Sequence, residues 1–279
     1  MNFSRSLRTY LALHSWPVFL FLYAPLAIIV LFSFNRSPVS VQFTGFSTAW
    51  YTSLFHNQDI LAALGRSLEL GIGSASLGTV LGTLLGYGVY RYRAAGLAWL
   101  GLLVYLPIIM PSIVFGISEM IFFTYVHQFT GFLSAGLLTM GVAHVTFQIP
   151  YVALVVYSRL VGLDRHLFDA AQDLYANPWK IFFHLVLPVT RPAVVAGFLL
   201  AFTLSFDDFV ISFFTSGPDS MTLPLYIYGA VAKKGVSPEI NAVASLMIGM
   251  VLVAAITNLL VSRSKEQAQR PSRPWLRSH

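Results

Sequence analysis

Two neighbouring acids inside an apolar stretch are the residues best placed to do chemistry. Asp207 and Asp208 lie within the sequence LSFDDFVI. An ionised carboxylate at the centre of a bilayer costs about 2.5–3.5 kcal/mol even on a lenient insertion scale. Adjacent residues of a helix point about 100° apart, so we expect at least one acid to face a polar cavity, where it would attract a cation. Pairing with an arginine, or with backbone groups at a helix break, is the alternative.

A second polar group is predicted where another apolar stretch contains prolines. Glu119 follows Pro107 and Pro111, and Ser112 lies seven residues before Glu119 on the same helical face. Proline kinks free backbone carbonyls, so this group would serve either the cation path or a hydrogen bond between subunits. His144, in a further apolar stretch, fits an interhelical hydrogen bond better than a ligand role.

The sequence predicts no catalytic residue and no metal site. It contains no cysteine, no nucleophile placed beside a base and no clustered metal ligands. It also has no glycine-rich phosphate loop of the Walker kind. We therefore expect no cofactor in this chain.

The surrounding composition is that of an integral, all-α membrane protein. Of 279 residues, 56% are hydrophobic and 10% charged, with a mean hydropathy of +0.71. The net charge of +6 comes from short clusters beside apolar runs, which suits membrane topology and lipid headgroups better than nucleic acid. The first run is long enough to span and has no small-residue cleavage site, so we expect a retained helix rather than a signal peptide. Six spans are predicted: Trp16–Phe34, Leu68–Tyr90, Leu97–Phe123, Ser134–Tyr157, Ala193–Phe214 and Ala242–Val261.

The second span is rich in glycine, with small residues repeated at four-residue spacing. Such spacing allows the backbone of a neighbouring helix to approach closely. We therefore expect this span to be buried in a helix bundle. Its glycines are Gly71, Gly73, Gly78, Gly82, Gly86 and Gly88.

Lysine and arginine predict the orientation. Most basic residues fall on one side of the six spans, which is the cytoplasmic side by the positive-inside rule. Both termini are therefore expected in the cytoplasm. The opposite side has only Arg36, Arg66, Lys233 and Lys234. The cytoplasmic group is Arg5, Arg8, Arg91, Arg93, Arg159, Arg165, Lys180, Arg191 and five residues from Arg263 to Arg277.

Four regions follow from these spans. Residues 1–34 form a tail and the first span, and 35–66 an external segment in which residues 48–55 predict an interfacial helix with aromatics on one face. Residues 67–262 form the core, including a long cytoplasmic loop at about 164–188. Residues 263–279 form a cytoplasmic tail. A second external helix is predicted from Leu223 to Lys234.

The cytoplasmic loop is longer than a connection requires and predicts two helical pieces. Asp164 can cap the first piece, and Asn177–Pro178 breaks it because a residue before proline avoids the helical region. The second piece is expected from Trp179 to Leu187, ended by Pro188 and Pro192 before the fifth span. We interpret the loop as a docking element.

The loop resembles the EAA motif of ABC importer permeases, whose usual form is Glu-Ala-Ala, three residues, Gly and a later Leu-Pro. The resemblance implies a coupling helix that docks on a cytoplasmic ATPase. The residues implied in this docking, besides the later Leu187 and Pro188, are Asp169, Ala170, Ala171, Asp173, Leu174, Tyr175 and Ala176. Tyr175 stands where the family usually has glycine, so it must either continue the helix or adopt a strained conformation. The matching residues are Asp169, Ala170, Ala171, Leu187 and Pro188.

Longer stretches are similar to the permease subunits of spermidine/putrescine importers. They are AHVTF at 143–147, YSRL at 157–160, FTLSFDD at 202–208 and GVSPEINA at 235–242. Relatives often carry an acid where this chain has Ser112. The resemblance implies the six-helix type I ABC importer permease fold and inward movement of polyamines across a bacterial inner membrane. Implied partners are a second homologous permease, two cytoplasmic ATPases, an external substrate-binding protein and membrane lipid.

Two other interpretations stay open at this point. The same importer class could carry an amino acid or ferric ion, whereas anions fit poorly with Asp207 and Asp208. An ion-coupled secondary transporter could use the same acids, but it would need no docking loop. Copurification of an ATPase separates the two.

Overall fold

A computed structural model describes residues 5–38, 42–92, 98–164 and 166–268. The described chain is helical, apart from one isolated bridge between Asn35 and Phe46. Arg165 and part of the predicted tail at 263–279 lie outside the described residues. The α-helices are α1 Arg5–Phe32, α2 Ala49–His56, α3 Gln58–Arg91, α4 Ala98–Ile109, α5 Ser112–Thr130, α6 Leu137–Val161, α7 His166–Asp173, α8 Pro178–Ile181, α9 Leu187–Phe206, α10 Val210–Thr215, α11 Leu223–Lys234 and α12 Pro238–Ala268.

One compact unit joins the described residues up to 58 to the described residues from 230 onward. Part of this unit is organised by Asn35, whose buried side chain accepts a hydrogen bond from the Thr44 N–H at 2.9 Å. The indole of Trp50 donates to the Asn35 carbonyl at 2.7 Å. Ser53 and α12 are joined by a hydrogen bond to Glu239 at 3.1 Å. The helix predicted at 48–55 is therefore present as α2, and its tryptophan is held by hydrogen bonding.

The other unit, residues 59–229, contains the glycine-rich α3 packed against α6. A Cβ at Gly82 would lie 2.6 Å from the Val152 Cβ, and one at Gly86 would lie 2.6 Å from the Ala153 carbonyl oxygen. Gly78 is similarly close to Gln148. The expected close approach of two backbones is confirmed for these glycines, whereas Gly73 and Gly88 have open space around them.

The predicted third span, Leu97–Phe123, is not one helix. It is divided at Met110–Pro111 into α4 and α5, and α5 continues to Thr130. Pro111 has no N–H to donate and disfavours helical geometry in the residue before it, so the helix ends there rather than bending. Pro107, by contrast, is accommodated inside α4.

The expectation that Pro188 and Pro192 end a loop helix is wrong. Helix α8, a π-helical segment Phe182–Val186 and α9 form one continuous helix over Pro178–Phe206. The Leu187 N–H donates to the Phe182 carbonyl, five residues back. This wider turn lies immediately before Pro188, where an α-helix would lose a hydrogen bond and suffer a clash. The second piece of the loop and the first part of the fifth span are therefore one helix.

Four helical segments of the described chain are long and apolar enough to cross a membrane. A shorter apolar helix covers Pro238–Val253, at the start of α12. The chain is thus an all-helical protein with several candidate spans. The four are Leu13–Phe32, Gln58–Arg91, Leu137–Val161 and Pro178–Phe206.

Candidate functional site

The acids Asp207 and Asp208 lie in a break between α9 and α10, not on a continuous helix. Helix α9 ends with the Asp207 N–H donating to the Thr203 carbonyl at 3.3 Å, and α10 begins at Val210. The predicted span Ala193–Phe214 is therefore interrupted at the acids, and their orientations are set by the break. The argument from a 100° separation does not apply here.

Asp208 is held by backbone groups of the helix that follows. Its Oδ2 accepts from the Ser212 N–H at 2.8 Å, and its Oδ1 accepts from the Ile211 N–H at 3.4 Å. These N–H groups belong to the first turn of α10. The N–H groups of a first turn have no acceptor within their own helix. The Asp208 side chain is only 12% exposed. Of the alternatives weighed for the acids, satisfaction by backbone groups at a helix break describes Asp208.

Asp207 is different, although it is the adjacent residue. It is exposed, and within the described residues no neighbouring side chain pairs with its carboxylate. It ends α9 in a near-helical conformation, with φ −97° and ψ 0°. Of the two acids, Asp207 is the one with a carboxylate available to a ligand.

His144, on α6, lies at the break beside Asp208. Sequence reasoning did not predict this contact. The His144 Nε2 lies 3.5 Å from the Asp208 Oδ2 and 3.1 Å from the Ser212 Oγ. Its Nδ1 lies 2.6 Å from the Ser205 Oγ in the last turn of α9. His144 is 2% exposed, so it joins helices, as expected, and touches an acid, which was not expected. His144 and Asp208 are 64 positions apart in the sequence, and no spacing signal predicts this contact.

Glu119 and Ser112 are both half-buried on α5. Ser112 is the first residue of that helix. Among the described residues, no hydrogen bond or ion pair joins either of them to Asp207 or Asp208. Helix α5 does pack on α10, where a Cβ at Gly116 would lie 3.1 Å from the ring of Phe214. Their place in the cation path stays a prediction.

In the loop at 164–188, Asp164 caps the start of α7, as the sequence predicts, and α7 ends at Asp173. The Asp164 carboxylate accepts from the His166 N–H at 3.0 Å. The predicted break is also present: Asn177 caps α8, accepting from the Lys180 N–H at 2.8 Å. The loop residues 166–176 therefore form a short separate helix and its turn.

Tyr175 adopts the left-handed conformation, with φ +55°. The Tyr175 N–H donates to the Gln172 carbonyl at 2.8 Å, and the Ala176 N–H donates to the Ala171 carbonyl at 3.1 Å. This pair of hydrogen bonds is the Schellman motif, which usually has glycine at the left-handed position. Of the two outcomes foreseen for Tyr175, the strained helix end is the one found, at a cost of about 1–2 kcal/mol.

The loop divides its side chains between the core and the surface. Ala171 and Ala176 pack on the hydrophobic core, whereas Asp169, Ala170 and Asp173 are exposed. Leu187 is half-buried at the start of α9, and Pro188 is exposed. We call the exposed large apolar residues here the loop patch: Leu167, Leu174, Tyr175, Trp179 and Phe183.

Solved structures share this fold. A bacterial ABC transporter involved in the import of the acidic polysaccharide alginate matches with a TM-score of 0.71 and 15% identity, covering 93% of this chain and 96% of that one. The alginate transporter in complex with an alginate pentasaccharide-bound periplasmic protein also matches, with a TM-score of 0.71, 16% identity and coverage of 95% and 96%. At such identities the likeness establishes a shared fold.

Residues 78–268 match the binding-protein-dependent transport system inner membrane component family, and the chain belongs to that family. It is 40% identical over 255 residues to the putrescine transport system permease protein PotI of Escherichia coli (strain K12), covering 90% of each chain. It is 39% identical over 248 residues to the spermidine/putrescine transport system permease protein PotC of the same strain, covering 89% and 92%. The corresponding PotC of Haemophilus influenzae is 38% identical, covering 88% and 93%.

Proposed function

We propose that this chain is a transmembrane permease subunit of an ATP-driven importer that moves polyamines such as putrescine or spermidine into the cell. The observation that carries the proposal is the 40% identity to a putrescine permease, extending over 90% of both chains. An alignment that covers 90% of a 279-residue chain includes both the loop and the break. A polyamine is a flexible cation, and Asp207 offers it an exposed carboxylate at the end of an apolar helix.

The proposed topology has six spans, with α4 and α5 together forming the third and α12 the sixth. Both termini lie in the cytoplasm of a bacterium, and the chain spans the inner membrane. The distribution of lysine and arginine supports this orientation. The regions 1–34, 35–66, 67–262 and 263–279 keep the roles predicted from the sequence.

The loop at 164–188 is proposed as the site where a cytoplasmic ATPase docks. The exposed loop patch supports this role, because large apolar side chains on a water-facing loop favour a protein partner. The continuous helix Pro178–Phe206 then joins the docking site to Asp207. Force applied at Pro178 would reach the acids along one helix, whereas force applied to α7 would first pass through the turn at Tyr175.

The proposed assembly contains this chain, a second homologous permease, two ATPase subunits that bind ATP and Mg²⁺, and an external substrate-binding protein. Asp207 is the principal carboxylate of the cation path, with Glu119 and Ser112 further along it. Asp208 lies beside the path and shapes it.

The test is uptake by the assembled complex in proteoliposomes supplied with ATP. Radiolabelled putrescine is offered with unlabelled putrescine, spermidine, spermine, a basic amino acid or ferric ion as competitor. We expect polyamines alone to compete. Competition by ferric ion or the amino acid instead would assign another cargo, and uptake that persists without ATP under an ion gradient would indicate a secondary transporter.

A further inference from the structure

A chain of buried hydrogen bonds leads from α6 through α3 to the end of α9. The Gln148 amide donates to the Ser74 Oγ at 3.2 Å, and the Ser74 hydroxyl donates to the Ser205 Oγ at 3.0 Å. The Ser205 Oγ lies 2.6 Å from the His144 Nδ1. All four side chains are at most 4% exposed, so water does not compete for these bonds. Hydrogen bonds in such a setting strengthen one another and fix the groups they join.

The direction of these bonds sets the proton on His144. Because Ser205 accepts from Ser74, its own hydroxyl proton is available to the His144 Nδ1. Nδ1 is then the acceptor, so the neutral ring carries its proton on Nε2. That N–H faces the Asp208 Oδ2 at 3.5 Å and the Ser212 Oγ at 3.1 Å. The chain of hydrogen bonds therefore ends in a donor aimed at the helix break.

We propose that His144 is a positioning residue: it holds Asp208 in the break and thereby sets the direction of the neighbouring Asp207 carboxylate. The inference rests on the proposed function, because it assigns the cation to Asp207. His144 does not touch the cation, since it is 2% exposed. It acts through Asp208, whose two oxygens also receive the N–H groups of Ile211 and Ser212.

The break needs this support because few backbone bonds define it. Residues 207–209 lie between the last turn of α9 and the first turn of α10. Two adjacent carboxylates also repel each other, so Asp208 needs donors of its own to stay beside Asp207. Contacts to His144 and to α10 keep Asp208 turned inward. With Asp208 fixed, the backbone of Asp207 is fixed as well, which sets the direction of its Cα–Cβ bond and so the region that its carboxylate reaches.

Two amide substitutions separate the role of the His144 Nε2 donor from mere burial. In His144→Asn the amide ends near the position of Nδ1 and leaves Asp208 without this donor. In His144→Gln the amide reaches the region of Nε2 and can replace it. We expect His144→Asn to lower putrescine uptake per ATP hydrolysed about tenfold, as for loss of a hydrogen bond to a charged group. His144→Gln should retain most of the wild-type value, and equal losses in the two variants would overturn the proposal.

The decisive measurement repeats His144→Asn in an Asp207→Asn background. Once Asp207 has no charge, its direction matters little, so the double variant should transport like Asp207→Asn alone. If His144→Asn lowers uptake by the same factor in both backgrounds, the histidine is only structural and the positioning role fails. If Asp207→Asn alone transports at the wild-type rate, it is the cation assignment of the proposed function that fails.

Two further variants control for damage to the fold. Thr139 also joins α6 to the α10 end, donating to the Thr215 carbonyl at 2.9 Å, but it lies away from the break. Thr139→Val should leave uptake per ATP unchanged, and a loss as large as that of His144→Asn would overturn the proposal. Should His144→Asn not assemble with the ATPase subunits, Ser205→Ala tests the same chain of bonds one step earlier. It should lower uptake per ATP about threefold, and an unchanged ratio would contradict the proposal.

Discussion

The helix Pro178–Phe206 has an interruption at each end, and the two are built in opposite ways. At its start, Tyr175 is 95% exposed and held in a strained left-handed conformation by backbone hydrogen bonds. At its end, Asp208 is 12% exposed and held by side-chain and backbone donors from two other helices. The first interruption can change shape at little cost to the core. The second cannot move without breaking buried hydrogen bonds.

This difference indicates a division of work along one helix. In the proposed function, the exposed end offers the loop patch to a partner in water, where shape and apolar area determine binding. At the buried end, hydrogen bonds hold the Asp208 carboxylate beside the exposed carboxylate of Asp207. A rigid helix between them would transmit displacement from the first to the second. Substitutions at the two ends should therefore differ in kind as well as in size.

The largest effect is expected at the loop. Ala170→Arg adds bulk and charge on the exposed surface of α7, and we expect it to reduce ATPase activity stimulated by loaded binding protein to the basal level. Gln172→Arg is the matched control, because residue 172 lies about 200° around the helix from residue 170 and is also exposed. Normal stimulated activity in Ala170→Arg would show that α7 is not the docking helix.

Substitutions at the two acids should have different effects, on transport at Asp207 and on stability at Asp208. We expect Asp207→Asn to lower putrescine uptake about tenfold or more by removing a charged contact, without changing the yield of purified complex. Uptake in proteoliposomes and copurification of the subunits measure these two quantities. Uptake at the wild-type rate would mean that the exposed acid serves no cargo.

Asp208→Asn should instead weaken the fold around the second interruption. An amide group cannot accept all the donors from Ile211, Ser212 and His144, so the expected loss is about 2 kcal/mol of stability. Thermal denaturation of the purified complex should show a lower midpoint for Asp208→Asn than for Asp207→Asn. Equal midpoints would remove the distinction between a held acid and a free one.

Packing of α3 on α6 supports the buried end and gives a further test. Gly82→Ala places a Cβ 2.6 Å from that of Val152, and such overpacking costs about 1–3 kcal/mol. Gly73→Ala on the same helix meets open space and should be neutral or slightly stabilising. The thermal midpoints of the two variants should therefore differ in sign or size, and matching shifts would contradict the observed approach of the helices.

The smallest effect is expected from relieving strain at the exposed end. Tyr175→Gly removes a left-handed tyrosine and should stabilise the loop by about 0.5–1 kcal/mol. The midpoint for thermal denaturation should rise slightly, whereas Tyr175→Phe should leave it unchanged. A lower midpoint in the glycine variant would show that the tyrosine ring contributes more than its backbone costs.

Local chemistry in the sequence predicted the exposed interruption well. A capping residue, a proline after Asn177 and an unusual residue at 175 all act within a few positions, so they can be recognised in one chain. The close approach at Gly82 was predicted for the same reason, since a small residue at helical spacing leaves a groove. The helix Leu223–Lys234 was also predicted with the bounds observed.

The buried interruption was not predicted, because it depends on residues that are distant in the sequence. His144 and Asp208 meet only after α6 and α10 have packed, and no pattern around either residue specifies the other. Two errors involved prolines. Pro111 divides the third span, whereas Pro188 is tolerated because a wider turn precedes it; the effect of a proline depends on the backbone geometry before it.

The π-helical segment Phe182–Val186 also sets how far the side chains of α9 are rotated about the helix axis relative to those of α8. A wider turn contains about one residue more than an α-helical turn, and one residue corresponds to about 100° of rotation. Every side chain beyond the segment is therefore turned by that angle relative to the loop that precedes it. One additional residue, some twenty positions before Asp207, thus helps to determine the direction in which Asp207 points relative to the loop at 164–188.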